Sequence, residues 1–168
     1  MTLSKFCDVY TKWINRILIV LGLALFIAVS LQVLGRYTPI PLWLWPEEIV
    51  RGSMVWVIFL GSVVALREKE HFTVDMFPMI LKGNSKGVRA FYIFLDVLYY
   101  IIGFLMAAIF AYYGFFFFRD WGMIQTSDIT GMNLGYIYFA IPLAGVSWFV
   151  FLIESLQHDI KGTTREVQ

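Results

Sequence analysis

The sequence predicts an all-α integral membrane protein with four transmembrane helices, and three observations lead there. Apolar residues make up 60% of the 168 residues and charged residues only 15%, whereas a typical soluble domain is about half apolar and about a quarter charged. The 16 Phe, 9 Tyr and 6 Trp are more aromatic residues than a 19.5 kDa globule could bury. Four stretches reach the length of about 20 mostly apolar residues that a membrane-crossing helix needs.

The remaining composition excludes several other classes of protein. The net charge is +1, from 13 basic and 12 acidic residues, so there is no electrostatic basis for a nucleic-acid partner. The high apolar content excludes an intrinsically disordered chain. The single cysteine, Cys7, excludes an internal disulfide scaffold.

The four predicted spans belong to one membrane domain. Inside a bilayer the backbone must satisfy its own hydrogen bonds, so segments of this length are helices and not strands. The first apolar run, Ile17–Gly35, is longer than the core of a signal peptide, and we expect it to be retained. The spans lie at about residues 14–36, 47–67, 89–118 and 132–154 of a domain covering 1–168.

The distribution of Lys and Arg predicts the orientation, because cytoplasmic loops carry an excess of these residues. The leader, the loop between the second and third spans, and the tail carry Lys5, Lys12, Arg16, Arg67, Lys69, Lys82, Lys86, Arg89, Lys161 and Arg165. The opposite side has only Arg36, Arg51 and Arg119. Both termini are therefore predicted to be cytoplasmic, in a multi-pass membrane protein.

Charged residues gather where the first span ends and the second begins. Pro46 suits the first turn of a helix, and the acids Glu47 and Glu48 complement the positive end of the helix dipole. Glu47 and Arg51 are four residues apart and can pair. Two interpretations stay open: an ordinary interfacial helix start, or a bracing or docking patch at the outer surface in which Arg36 meets Glu47 or Glu48.

The loop after the second span is amphipathic. Between His71 and Lys82 the polar positions fall at intervals of four, three and four residues, within an otherwise apolar segment. This pattern is typical of a helix that lies in the membrane interface or against a partner, and Pro78 favours two short pieces. His71 and Asp75 are too few ligands for a metal site. Arg67, His71 and Asp75 are interpreted as cytoplasmic-side structural residues.

Asp96 is the only acid well inside a predicted span. An intramembrane carboxylate is a functional hypothesis by default, because its charge is costly in lipid. Arg89 lies seven residues earlier on the same helix face, near the cytoplasmic boundary. A structural pair is therefore favoured over a proton relay.

Small residues recur every four positions in three of the spans, and this spacing favours close helix packing. Pro142 predicts a kink in the fourth span and leaves the carbonyl of Tyr138 without its helical donor. The small residues are Gly61 and Ala65 in the second span, Gly103, Ala107 and Ala111 in the third, and Ala140 and Ala144 in the fourth.

The sequence shows no enzymatic signature. It has no nucleotide-binding glycine loop, zinc motif or nucleophile motif. His71 and His158 are both expected in loops outside the predicted spans, so two-histidine haem ligation within the bundle is not expected. The spans also lack the polar, broken helices expected around a transported solute. We therefore expect no catalytic residue, no cofactor and no metal.

One set of residues resembles a known family, the Q-type small membrane subunit of tripartite ATP-independent periplasmic (TRAP) transporters. The resemblance covers about residues 30–80, and elsewhere it rests on the number and length of the spans. The matching residues are Arg36-Tyr37, Trp45-Pro46-Glu47-Glu48 with Arg51, Trp56, Phe59-Leu60-Gly61, Ala65, Arg67, His71 and Asp75.

The resemblance implies a non-catalytic subunit of a sodium-coupled importer of organic acids such as C4-dicarboxylates or sialic acid. Its partners would be a large elevator-type membrane subunit in a tight heterodimer, a periplasmic substrate-binding protein in transient contact, and membrane lipids. The small subunit would act as the scaffold of the large one. Arg36, Glu47, Glu48 and Arg51 would then face the periplasm, where they could brace the large subunit or help dock the binding protein.

Two alternatives belong to other functional classes. A stand-alone four-span multidrug-type exporter would need a membrane-embedded acid, and Asp96 is the candidate. An anchor subunit of a respiratory complex would carry haem, so haem staining separates it from the scaffold hypothesis.

Overall fold

A computed structural model describes residues 3–38, 45–68 and 86–166 of the chain, and within the last range the side chains of residues 91 and 94–159. Four long helices account for most of this part. Each helical segment is long and apolar enough to cross a membrane, which confirms the predicted all-α fold with four spanning helices. The helices are α1 (Leu3–Tyr37), α2 (Trp45–Arg67), α3 (Lys86–Phe117) and α4 (Ala140–Glu166).

Helix α1 is longer than a membrane requires. Its 35 residues correspond to a rise of about 50 Å, against roughly 30 Å for the hydrocarbon core. The first turns carry Lys5, Lys12 and Arg16, so a charged N-terminal part of the helix precedes the apolar run. The amphipathic segment predicted for residues 71–82 lies outside the described residues.

The helices are arranged as a row rather than as a closed bundle. The main packing contacts join α1 to α2, α2 to α4, and α4 to α3, so that α1 and α3 lie at the two ends of the row. The buried apolar residues follow these three seams, and the larger ones come mainly from the middle of the row. They include Ile14, Leu60, Val63, Leu66, Ala107, Ala144, Trp148, Phe151 and Leu152.

Helices α3 and α4 cross where both have small residues. A Cβ atom placed on Gly145 would overlap the backbone of Ala111, and one on Gly103 would lie 3.0 Å from Cδ2 of Leu152. Ala107 and Ala144 are fully buried at the same seam. The predicted packing role of the small residues is therefore confirmed in these two helices, because only such residues allow so close an approach.

The connection between α3 and α4 is ordered. A π-helical turn at Phe118–Gly122 ends α3, an isolated antiparallel bridge pairs Thr126 with Asn133, and a one-turn helix spans Gly135–Tyr138. Phe139 separates this one-turn helix from α4, which begins at Ala140. This interruption agrees with the predicted effect of Pro142, which cannot donate a backbone hydrogen bond to Tyr138.

Candidate functional site

Arg67, the last residue of α2, joins three helices on the side of the membrane domain where the chain begins and ends. Its Nε and Nη2 each donate to the Glu154 carboxylate of α4 at 3.2 Å. On α1, Nη1 donates to Thr11 Oγ1 at 3.0 Å and Nη2 donates to Asp8 Oδ1 at 2.5 Å. The guanidinium also lies 5.4 Å from the ring centroid of Phe151. We call Arg67, Asp8, Thr11 and Glu154 the Arg67 cluster.

The geometry of the Arg67 cluster suits a structural role. The side chains of Arg67 and Glu154 are 20% and 16% exposed, so both charges are largely removed from solvent. Charge-assisted bonds from the planar guanidinium are roughly twice as strong as neutral ones and fix the direction of both partners. Arg67 therefore links α1, α2 and α4, while its placement on the cytoplasmic side stays a prediction. His71 and Asp75 lie outside the described residues.

A second set of polar contacts lies nearby, between α3 and α4. The Tyr100 hydroxyl donates to Asp159 Oδ2 at 2.6 Å and lies 3.2 Å from Ser155 Oγ. An open cavity of about 670 Å³ separates this pair from the Arg67 cluster and is lined by charged residues of both signs. In the described ranges, no group of three His, Cys, Asp or Glu side chains could hold a metal ion.

On the opposite side of the membrane domain, where α1 ends and α2 begins, the four predicted patch residues are not equivalent. Glu47 accepts from Arg51 at 3.2 Å, which confirms the predicted pairing, and both side chains are more than half exposed. Arg36 is exposed on the last turn of α1 and forms no ion pair with Glu47 or Glu48. Glu48 is buried, with 7% of its surface exposed. The structure thus gives Glu48 a setting different from that of its three neighbours.

Asp96 is exposed on the surface of α3. Its predicted pairing with Arg89 cannot be followed, because the Arg89 side chain lies outside the described residues. Among the described residues, the buried polar or charged side chains are Thr11, Glu48, Ser53 and Ser147. Asp96 is not one of them, so it does not contribute to a polar interior within this part of the chain.

Sequence reasoning did not find the partners of Arg67 and Glu48. Asp8 and Glu154 had one usable signal: both are acids at the same predicted end of the molecule as Arg67. Ser127 and Thr130, which face Glu48 from the loop after α3, had none. Their polar character is ordinary for a loop, and their distance along the chain from Glu48 hides the contact.

Comparison with known proteins assigns the chain to a family. The family described as the DctQ component of tripartite ATP-independent periplasmic transporters matches residues 25–162. The sialic acid TRAP transporter permease protein SiaT of Haemophilus influenzae (strain 86-028NP) is 28% identical over 157 residues, which are 89% of this chain and 24% of that protein.

A second relative comes from Haemophilus influenzae (strain ATCC 51907) and is provisionally named TRAP transporter small permease protein. It is 26% identical over 115 residues, which are 68% of this chain and 66% of that protein. The chain thus spans about a quarter of the first relative and just under two thirds of the second. With a family match over most of its length, the chain belongs to the DctQ component family of TRAP transporters, whose members are transporter subunits and not enzymes.

Proposed function

We propose that this chain is the scaffold for the large elevator-type membrane subunit of a sodium-coupled TRAP importer of organic acids, of the C4-dicarboxylate or sialic acid type. The open row of helices carries the proposal. In the most apolar window of α1 only 6% of residues are buried within the chain, and in that of α3 only 11%, against 50% for the fourth span. A self-contained carrier would enclose its path with all four helices, whereas this row leaves its two end helices almost uncovered.

The exposed faces of the end helices are apolar and aromatic. Lipid can cover such faces, but so can another membrane protein, which packs against them through van der Waals contacts and occasional hydrogen bonds. The large uncovered side chains include Trp13, Leu23, Phe26 and Ile27 on α1, and Phe94, Ile101, Leu105 and Tyr113 on α3. A subunit that widens and anchors a larger one would need a surface of this kind.

The similarity to SiaT supports a large partner. That permease protein is about four times as long as the matched region, since 157 aligned residues cover 24% of it. Its remaining three quarters would be the counterpart of the large subunit, which this chain would bind in a tight one-to-one heterodimer. The name of that relative supports sialic acid as one candidate class of substrate.

The side of the membrane domain opposite the termini would face the periplasm in the inner membrane, with both termini in the cytoplasm. There the exposed Arg36, Glu47 and Arg51 could meet the large subunit or the substrate-binding protein. A reporter active only outside the cytoplasm should be on when fused at Gln125 and off when fused at Asn84. The reverse pattern would contradict this orientation.

Co-purification and uptake test the scaffold role together. A tag on this chain should recover a much larger hydrophobic polypeptide at one-to-one ratio in mild detergent, and uptake should fail when this chain is omitted. Vesicles that contain this chain alone should transport nothing. Unaided transport would refute the proposal, as would full uptake without the chain.

Asp96→Asn separates the scaffold from an exporter. Because the scaffold hypothesis gives Asp96 no role in proton coupling, it expects uptake by the complete transporter to survive this substitution. An exporter would lose proton coupling when its only intramembrane carboxylate is neutralised. Loss of a pH-driven efflux activity in the variant would therefore favour the exporter.

A further inference from the structure

One face of α2 contacts the chain between α3 and α4 at three points, spaced by four residues along the helix. Trp56 Nε1 donates to the carbonyl oxygen of Tyr136 at 3.0 Å. One turn earlier, a Cβ atom on Gly52 would lie 3.4 Å from Cδ1 of Ile137, so the two are in packing contact. Glu48 lies one turn earlier again, on the same face, because residues four apart are neighbours on a helix surface.

Glu48 meets the loop of residues 123–134, which we call the outer loop. Glu48 is 7% exposed, and both of its carboxylate oxygens are shielded from solvent. The hydroxyl side chains of Ser127 and Thr130 face the carboxylate, although no described residue makes a hydrogen bond of standard geometry with either oxygen. A buried carboxylate without donors is costly, so these two hydroxyls are the groups available to satisfy it.

Both hydroxyls have a hydrogen to donate. Ser127 Oγ accepts from the Ile129 N–H at 3.2 Å, and Thr130 Oγ1 accepts from the Met132 N–H at 3.3 Å. Each oxygen therefore already accepts from the backbone, and a small rotation directs its own hydrogen to a neighbour. An ionised carboxylate accepts and never donates, so it is the matching partner for two hydroxyl donors.

The outer loop is built to hold these hydroxyls in place. The Gly131 N–H donates to Ser127 O at 2.9 Å, the Ser127 N–H donates to Met132 O at 2.8 Å, and Gly131 has a φ of 71°. Glycine adopts this left-handed conformation without steric cost, so it allows the tight turn. Ser127 and Thr130 both lie within this turn.

We propose that Glu48 fastens the outer loop to α2 by accepting hydrogen bonds from Ser127 and Thr130. Glu48 is thus a positioning residue: it fixes the orientation of a loop whose Ile124 and Ile129 side chains are exposed. The proposal concerns the isolated chain and does not depend on the transported solute or on a partner. It distinguishes Glu48 from its neighbour Glu47, which pairs with Arg51 in solvent.

Hydrogen–deuterium exchange of the purified chain in lipid nanodiscs tests the fastening. In Glu48→Ala the amides of Ser127 and Gly131 should exchange about tenfold faster or more, since removing the acceptor leaves the loop without its charged hydrogen-bond partner. Glu48→Gln keeps an acceptor oxygen and should restore most of the protection. Glu47→Ala is the matched control and should exchange like the wild type.

Removal of the donors provides a second test that leaves α2 intact, in case Glu48→Ala does not fold. The double variant Ser127→Ala/Thr130→Ala should speed exchange of the Gly131 amide to a similar extent, and adding Glu48→Gln to it should cause little further change. Unchanged exchange in the double variant would overturn the proposal. The proposal would also be overturned if the wild-type amides lost their protection from exchange when choline replaces sodium and potassium, because the Glu48 carboxylate would then be binding a cation.

Discussion

The crossing of α3 and α4 makes a strong prediction for Gly145→Ala. The added methyl group would overlap the backbone nitrogen of Ala111 and lie 2.8 Å from the carbonyl carbon of Phe110 and 2.9 Å from Cα of Ala111. These are backbone atoms, which cannot turn aside as the end of a flexible side chain can. The two helices must therefore separate by roughly one ångström in an interior packed as densely as a crystal.

The expected cost of this separation is about 2 kcal/mol, in the range of about 1–3 kcal/mol for an overpacked core. Since about 1 kcal/mol shifts the unfolding midpoint of a chain of this size by about 2–4 °C, the midpoint should fall by about 4–8 °C. Thermal unfolding in detergent, followed by the loss of the monodisperse peak at one fixed heating rate, measures the change.

Gly61→Ala is the matched control for Gly145→Ala. Gly61 also lies inside a helix, but a Cβ atom there meets no atom within 4 Å. Its midpoint should stay the same or rise slightly, because alanine is favoured over glycine in a helix by up to about 1 kcal/mol. Equal midpoints for the two variants would refute the close approach of α3 and α4.

Three further predictions concern polar contacts. Arg67→Ala leaves two acids without their cation and should cost about 2 kcal/mol of stability. Arg67→Lys should recover only part of this loss, because lysine lacks the forked geometry of the guanidinium. Equal losses of stability in the two variants would contradict the cluster. Glu47→Ala or Arg51→Ala should cost less than about 1 kcal/mol, since exposed pairs contribute little, and added salt should make the difference smaller. Trp56→Phe should cost about 1 kcal/mol through the lost bond to Tyr136, and an unchanged unfolding midpoint would count against that bond.

The sequence predicted local features better than distant contacts. The four helices follow from long apolar runs, and the pair of Glu47 with Arg51 follows from helical spacing alone. The break before α4 follows from Pro142. Each of these depends on residues within one or two turns of one another, where backbone geometry determines which side chains meet.

Contacts between helices were predicted less well, because spacing along one helix does not say which face is covered. Gly61 belongs to a small-residue stripe and yet faces open space, whereas Gly145, outside the predicted stripes, makes the tightest approach to α3. Likewise, Arg36 does not form the ion pair with Glu47 or Glu48 that one of the two open interpretations included. Arg67, in contrast, binds Glu154, which lies 87 residues away along the chain. Only the packing of the four helices decides these partners.

The Arg67 cluster has a consequence for the order of assembly. Asp8 and Arg67 are both synthesised long before Glu154, which lies near the end of the chain. During insertion Arg67 therefore has Asp8 available first, and Glu154 arrives only with α4. A chain truncated before residue 154 would keep the bond between Arg67 and Asp8, which joins α2 to α1, but would lack the bond that joins them to α4.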